Sequence, residues 1–215
     1  MSESHLDLAD WRRRVAEMYA TWRRESETDP EAATIRLRRQ RDELFRKHPQ
    51  SPLPVAQRAD FGGLAYWDYD PRYRMRATLE LVEQPIAAMP VRPPPMLLPS
   101  SADEQFSFRV IGRVALSGPL AGAVLPVFWM EGYAGGLFVP FRDASSGRET
   151  YAAGRYMLDT VKGADLGGDA LHNELLLDFN LAYHPSCVYD PRWNCPLAPP
   201  ESRLVVEVRA GERLG

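Results

Sequence analysis

Phe106-Ser107-Phe108-Arg109-Val110-Ile111-Gly112-Arg113-Val114-Ala115-Leu116 is the stretch on which the fold turns. Phe106, Phe108, Val110, Gly112, Val114 and Leu116 alternate with Ser107, Arg109, Arg113 and Ala115. Successive side chains of an extended chain point to opposite faces. A period of two therefore predicts an antiparallel strand with one buried face and one wetter face. Upstream, Met75, Ala77, Leu79 and Leu81 alternate in the same way with Arg74, Arg76, Thr78 and Glu80. Downstream, Val124 to Met130 and Leu137 to Phe141 are continuous apolar runs, which suit strands covered on both sides. Gly132 and Gly135-Gly136 supply the turn between them. Arg155 to Val161, Glu174 to Tyr183 and Leu204 to Val208 complete the set, with a turn over residues 163–169. Roughly seven to nine strands predict a mainly β fold, an antiparallel barrel or a two-sheet sandwich.

Ahead of this region the period is 3.6. Trp11, Val15, Met18, Tyr19 and Trp22 fall on one helical face, with Ser4 and Asp7 as a capping pair upstream. Asp29-Pro30-Glu31 reads as a second helix start, and His48-Pro49 as its stop. The apolar face of this second helix is thin (Ile35, Leu44 and Phe45), which predicts a surface position. The expected organisation is a helical N-terminal arm, 1–50, packed on a β-barrel or sandwich domain, 51–215. Prolines at 85, 90, 93, 94, 95 and 99 interrupt the β region. Proline cannot donate to a sheet ladder, so this stretch is expected to be an edge strand or a crossing connection.

With 215 residues, 45% of them apolar and 26% charged, the chain can bury a sizeable core. A net charge of −3 gives no electrostatic footprint for nucleic acid. The basic runs at residues 12–14 and 36–41 are nearly cancelled by interleaved carboxylates and read as solvated helix faces. No apolar run is long enough to span a membrane, and the first residues lack a secretory pattern. A cytoplasmic location is the default expectation. Oligomeric state cannot be read from these patterns.

The polar residues that draw attention lie between Phe141 and Cys195. Arg155 and Asp159 share one face of their strand, while Asp178 and Asn180 point away from the apolar face of theirs. If the turn at 163–169 makes the two strands hairpin partners, these four groups meet on one surface. Two readings follow. In the first, Arg155 clamps a small polar or anionic molecule, with Asp143, Glu149, Tyr151, Asp178 and Asn180 as further ligand-binding candidates. In the second, the same charges form an internal salt-bridge network and the chain is a non-catalytic structural or interaction module. Gly154, just before Arg155, is expected to let another group approach the backbone closely. Glu149 and Asp178 as an acid–base pair carry little specificity, and whether the protein is an enzyme stays open.

Cys187 and Cys195 read either as two free thiols or as a disulfide closing a small loop. Their spacing is wrong for zinc, and the four histidines are scattered, so no metal site is expected. His184 is the nearest basic group in sequence to a nucleophilic Cys187. Dinucleotide, phosphate-loop, nucleophile-elbow and zinc-protease motifs are absent, and no cofactor is expected from motifs. A flavin-binding barrel is the weakest reading. The aromatic group Phe61, Tyr66, Trp67, Tyr69 and Tyr73 is expected in the core and at the barrel rim.

One ordered series of motifs is specific. It runs Phe138-Val139-Pro140-Phe141-Arg142-Asp143, Gly147-Arg148-Glu149-Thr150-Tyr151, Gly154-Arg155-Tyr156, Leu177-Asp178-Phe179-Asn180 and Ala182-Tyr183. It continues through Pro185, Cys187, Tyr189, Cys195-Pro196-Leu197, Glu201, Arg203-Leu204 and Ala210-Gly211-Glu212. The chain thereby resembles the domain of unknown function 1684 family, uncharacterised bacterial and archaeal proteins, over nearly its whole length. His184 and Ser202 stand where that pattern has asparagine. The first departure weakens any family-wide role for the histidine as base or metal ligand. The resemblance implies no activity, substrate or cofactor. It only focuses attention on residues 137–195.

Overall fold

A computed structural model describes residues 4–82, 96–102, 105–133 and 135–215. Two helices open the chain, α1 His5–Glu25 and α2 Pro30–Lys47. Ser4 and Asp7 form the expected capping box on α1, and the Asp29 carboxylate accepts from Ala32 N at 3.0 Å on α2. The helices lock together where Trp22 Nε1 donates to Thr34 Oγ1 at 3.1 Å in a buried seam. α2 lies at the surface as expected, with Glu31, Arg36, Arg39 and Glu43 exposed, but its buried face is wider than expected. Ala33, Thr34, Leu37, Leu44 and Phe45 are buried, while Ile35 is exposed. Small Ala33 and Thr34 let the helices approach closely, so a count of large apolar residues understated that face.

Eight strands follow: β1 Arg74–Leu81, β2 Met96–Leu98, β3 Phe106–Ala115, β4 Val124–Met130, β5 Gly136–Phe141, β6 Arg155–Asp159, β7 Gly168–Asp169 and β8 Glu174–Asp178. They form one antiparallel half-barrel sheet in the order β6-β5-β4-β3-β1-β8-β7, with β2 added to β3. The fold is mainly β, as expected. β3 is its spine. Its first half pairs with β2, its second half with β1, and a register shift falls between Val110 and Gly112. Gly112 is required there, because a Cβ would lie 2.5 Å from the Glu80 carbonyl oxygen of β1. β2 is an edge strand ending just before Pro99; the prolines at 85, 90, 93, 94 and 95 lie outside the described residues.

Three strand assignments from the sequence need correction. β8 stops at Asp178, and residues 179–181 form a 3-10 turn capped by the Asp178 carboxylate on Asn180 N. β6 stops at Asp159 for the same reason: its carboxylate caps a 3-10 turn over residues 160–162. In both cases an aspartate takes over a backbone donor that the ladder would otherwise have used. Residues 204–208 do not pair as a strand. They run beside Arg142–Ala144 through isolated bonds such as Leu204 N to Arg142 O at 2.8 Å.

β6 and β8 are not hairpin partners either. β8 pairs with β1 and β7, and β6 pairs with β5, which places them far apart in the sheet order. The link near the open side comes beyond β8, where Tyr156 and Tyr183 exchange two backbone bonds at 2.9 and 3.1 Å. The main core joins α1, α2 and the sheet through residues such as Trp22, Val114, Leu125, Val139, Phe141, Leu177 and Phe179. A second, aromatic cluster of Phe108, Phe128, Phe138 and Tyr156 fills one end of the sheet with Leu98. No helix among the described residues is long and apolar enough to cross a membrane.

Candidate functional site

The candidate residues fall into separate places. Arg155 leaves the start of β6 and is 1% exposed. Nη1 donates to Ala210 O at 2.6 Å and Glu212 O at 3.1 Å. Nη2 donates to Val208 O at 2.8 Å and the Asp143 carboxylate at 3.0 Å. The guanidinium plane lies near the faces of Trp67 and Phe141. Burial pushes its pKa down to about 10 against the opposing pull of Asp143, so it stays charged at neutral pH. Asp143 completes the arrangement by accepting from Val208 N at 2.6 Å and from Ser145 Oγ at 2.7 Å. The result is a strut holding an extended C-terminal segment by three of its carbonyls. Gly154 lets the chain entering β6 lie against the end of β5: φ is +100°, and a Cβ would sit 2.3 Å from Phe141 O.

Asp178 and Asn180 form another network. Asn180 Nδ2 donates to Asp178 Oδ1 at 2.9 Å and to Asp70 O at 2.8 Å, while Asn180 Oδ1 accepts from Asp70 N at 2.9 Å. Arg74 reaches Asp178 at 3.3 Å and also Ser26 at the end of α1. Arg38 of α2 donates to Asn180 O and Trp67 O. Burial raises the Asp178 carboxyl above its ordinary range, against the pull of Asn180 and Arg74. This network fastens the helices and residues 67–70 to the end of β8. Arg155 meets it through the ring of Trp67, and among the described residues no hydrogen bond or ion pair joins Arg155 to Asp178 or Asn180, because the hairpin that would have brought them together does not form.

Glu149 and Tyr151 stand apart from both. The Glu149 carboxylate is partly exposed, 3.7 Å from Arg209. Tyr151 contacts the Cys187 thiol at 3.9 Å. Both cysteines are free. His184 cannot serve Cys187 as a base in this arrangement. Its Nε2 accepts from Tyr151 N at 3.2 Å, which puts the proton on Nδ1, facing Glu212 Oε1 at 3.2 Å. Glu212 also accepts from Arg41 of α2, at 2.5 Å. Burial alone would raise the Glu212 carboxyl, but Arg41 and His184 outweigh it and hold it below its ordinary range. Among the described residues, no three His, Cys, Asp or Glu side chains converge as a metal set.

The sequence reasoning missed a hollow of about 160 Å³ at the aromatic end of the sheet. Phe106, Phe108, Met130 and Phe138 wall it, and Arg12, Asp159 and Lys162 stand around it. Asp159 is buried, its carboxyl raised by desolvation against the pull of Lys162 and Arg12. Arg12 is the first of a run of three arginines, of which Arg13 and Arg14 pair with Asp10. The apolar face of β3 was visible in the sequence, though such a face reads as ordinary core, and the run at residues 12–14 read as a solvated helix face. A larger hollow of about 690 Å³ is an open, charged groove between α1 and α2.

These features define a β half-barrel fronted by a helical pair, with its central charges paired inside the fold. The chain belongs to the family of proteins of unknown function DUF1684, whose model matches residues 59–213. A solved relative is the uncharacterised protein from gene locus rrnAC0354 of Haloarcula marismortui, determined by solution NMR. It is 33% identical, the match covers 88% of this chain and 97% of that one, and the TM-score is 0.58. No curated protein matches the chain.

Proposed function

We propose that the protein is a small-molecule binding module for an anion with a compact apolar body, held in the aromatic hollow beside Arg12 and Lys162. The observation that carries this reading is the pairing of that apolar chamber with two cations against one carboxylate, Asp159. A chamber of about 160 Å³ is close to the size that accepts a benzene-sized body. Aromatic walls supply the transfer free energy, and the cations select the charged end. The ligand class is the one expected for Arg155, but Arg155 and Asp143 are engaged with each other and with the C-terminal segment. In this reading the Arg155 and Asp178 networks are the internal frame that keeps the half-barrel rigid around the ligand.

Benzoate and its uncharged analogue benzamide test the idea. Thermal shift and saturation-transfer NMR should detect benzoate on the wild type and markedly weaker binding of benzamide. The Arg12→Ala/Lys162→Ala variant should fold normally, since both side chains lie at the surface, and should lose the preference for the anion. Equal binding of both probes to wild type and variant, or no binding of benzoate at millimolar concentration, overturns the assignment.

A further inference from the structure

A smaller hollow of about 70 Å³ lies between the helical pair and the chain around Lys162 and Tyr183. Trp11 and Val15 of α1, Leu44 and Phe45 of α2, and Pro52 give it apolar walls. Tyr19, Arg41, Lys162 and Tyr183 bring polar groups to the same lining. Lys162 is the one residue that also lines the aromatic hollow, so among the described residues the two chambers are otherwise built from separate side chains.

The polar lining consists of donors with unspent capacity. Tyr19 is 5% exposed, and its hydroxyl, like that of Tyr183, makes no hydrogen bond among the described residues. A buried phenol ordinarily finds a partner, so two without one beside a hollow point to an occupant. Arg41 is held between the rings of Phe45 and Tyr183, its Cζ 4.9 and 5.0 Å from their centroids. Its Nη1 serves Glu212 and the Tyr66 hydroxyl, whereas Nε and Nη2 make no hydrogen bond among the described residues. Half of a guanidinium fork is thus unused in a lining that contains no carboxylate. Burial pushes Tyr19 up to about 12 and Tyr183 well above the ordinary phenol value, so both hydroxyls keep their protons at neutral pH.

We propose that this hollow is a second binding site, for a short-chain alkyl carboxylate. The free side of the Arg41 fork and the two phenols donate to the carboxylate oxygens, and the alkyl end packs on Val15, Leu44 and Phe45. Size limits the chain. An apolar cavity of about 150 Å³ accepts benzene, and half that volume holds roughly four or five heavy atoms, an acetate or a propionate. The apolar walls disfavour a fully hydrated inorganic anion, which would lose its water there without polar partners on every side. The assignment does not rest on the occupant of the aromatic hollow, since none of Arg12, Phe108 and Phe138 takes part.

Propionate is the probe, followed by amide chemical shifts of the whole chain in solution. It should move the signals of Trp11, Tyr19, Phe45 and Tyr183 saturably at millimolar concentration and leave those of Phe108 and Phe138 in place. Propionamide, of the same shape without the charge, should bind markedly more weakly, and inorganic phosphate should not move these signals. Tyr19→Phe/Tyr183→Phe removes only two hydroxyls and should weaken propionate by at least about tenfold, as the loss of hydrogen bonds to a charged acceptor requires. Should that variant fail to fold, the comparison of propionate with propionamide on the wild type still decides the matter. Benzoate, too large for this hollow, should not displace propionate, which separates this site from the one beside Arg12. No saturable shift with propionate, shifts confined to Phe108 and Phe138, equal binding of propionamide or phosphate, or unchanged affinity in the folded double variant each overturns the proposal.

Discussion

Replacing Arg155 by methionine should destabilise the protein heavily, and the size follows from what is stranded. Methionine keeps an unbranched apolar stem in contact with Trp67 and Phe141 but removes every donor. Three carbonyls, of Val208, Ala210 and Glu212, lose a partner at positions that are 0%, 0% and 1% exposed. At about 1 kcal/mol for each buried acceptor left short, these account for roughly 3 kcal/mol. The Asp143 carboxylate loses its counter-ion but keeps Val208 N and Ser145 as donors. Its share is therefore nearer about 1–2 kcal/mol than the full cost of an orphaned charge. The expected loss is about 4–5 kcal/mol, a fall in Tm of roughly 8–20 °C for a chain of this length. Urea unfolding followed by tryptophan fluorescence measures it directly. Adding Asp143→Asn removes the stranded charge and should recover about 1 kcal/mol. A loss below about 1 kcal/mol for Arg155→Met would refute the strut argument, since only a solvated guanidinium can be removed so cheaply.

Glu212→Gln should cost about 3 kcal/mol at neutral pH by breaking the pair with Arg41, read by urea midpoint. The Glu212 pKa is lower in the folded chain than in the unfolded one. Its contribution is thus present above the unfolded value of about 4.5 and is lost as pH falls through the folded value. The gap between wild type and Glu212→Gln should stay level from about pH 5 to 7 and narrow below about pH 4; a gap that widens in acid contradicts the assignment. Gly154→Ala combines a φ of +100° with a 2.3 Å approach to Phe141 O, so thermal unfolding should show a loss of about 2–4 kcal/mol.

The strand pattern was legible where burial is one-sided. Phe108, Val114, Met75 and Ala77 are buried, and their alternating neighbours are wetter. The helix caps were legible too, because Ser4 and Asp29 act within three residues of themselves. What the sequence hid was strand partnership. Nothing local to residues 155–183 says that Gly163 opens a short excursion through β7, or that β8 will pair with a strand a hundred residues earlier. Of the ligand-binding candidates, Asp143, Arg155, Asp178 and Asn180 are buried polar groups paired within the fold. Their grouping failed with the hairpin, and besides Asp143 the partners of Arg155 are the carbonyls of Val208, Ala210 and Glu212, at and just past the end of a stretch that reads as one more strand. The hollow beside Arg12 joins α1, β3, β5 and residues 159–162, which no sequence spacing connects.

The buried charges share one topological property. Arg155 ties β6 to residues 208–212, Glu212 ties those residues to α2 and to His184, and Arg74 ties β1 and β8 to the end of α1. Every link joins segments distant in the chain, and every one involves groups that are costly to bury alone. Apolar contacts across the same seams would tolerate sliding by a residue, whereas a guanidinium fitted to three carbonyls and a carboxylate accepts one register. The irregular C-terminal segment lacks a ladder to define its place, so these charges supply the definition instead. On this argument a variant replacing Arg155 and Asp143 by leucine and methionine would recover part of the stability yet leave residues 204–215 exchanging amide hydrogens faster than the sheet. Protection of those amides equal to that of β3 would show that packing alone positions the segment.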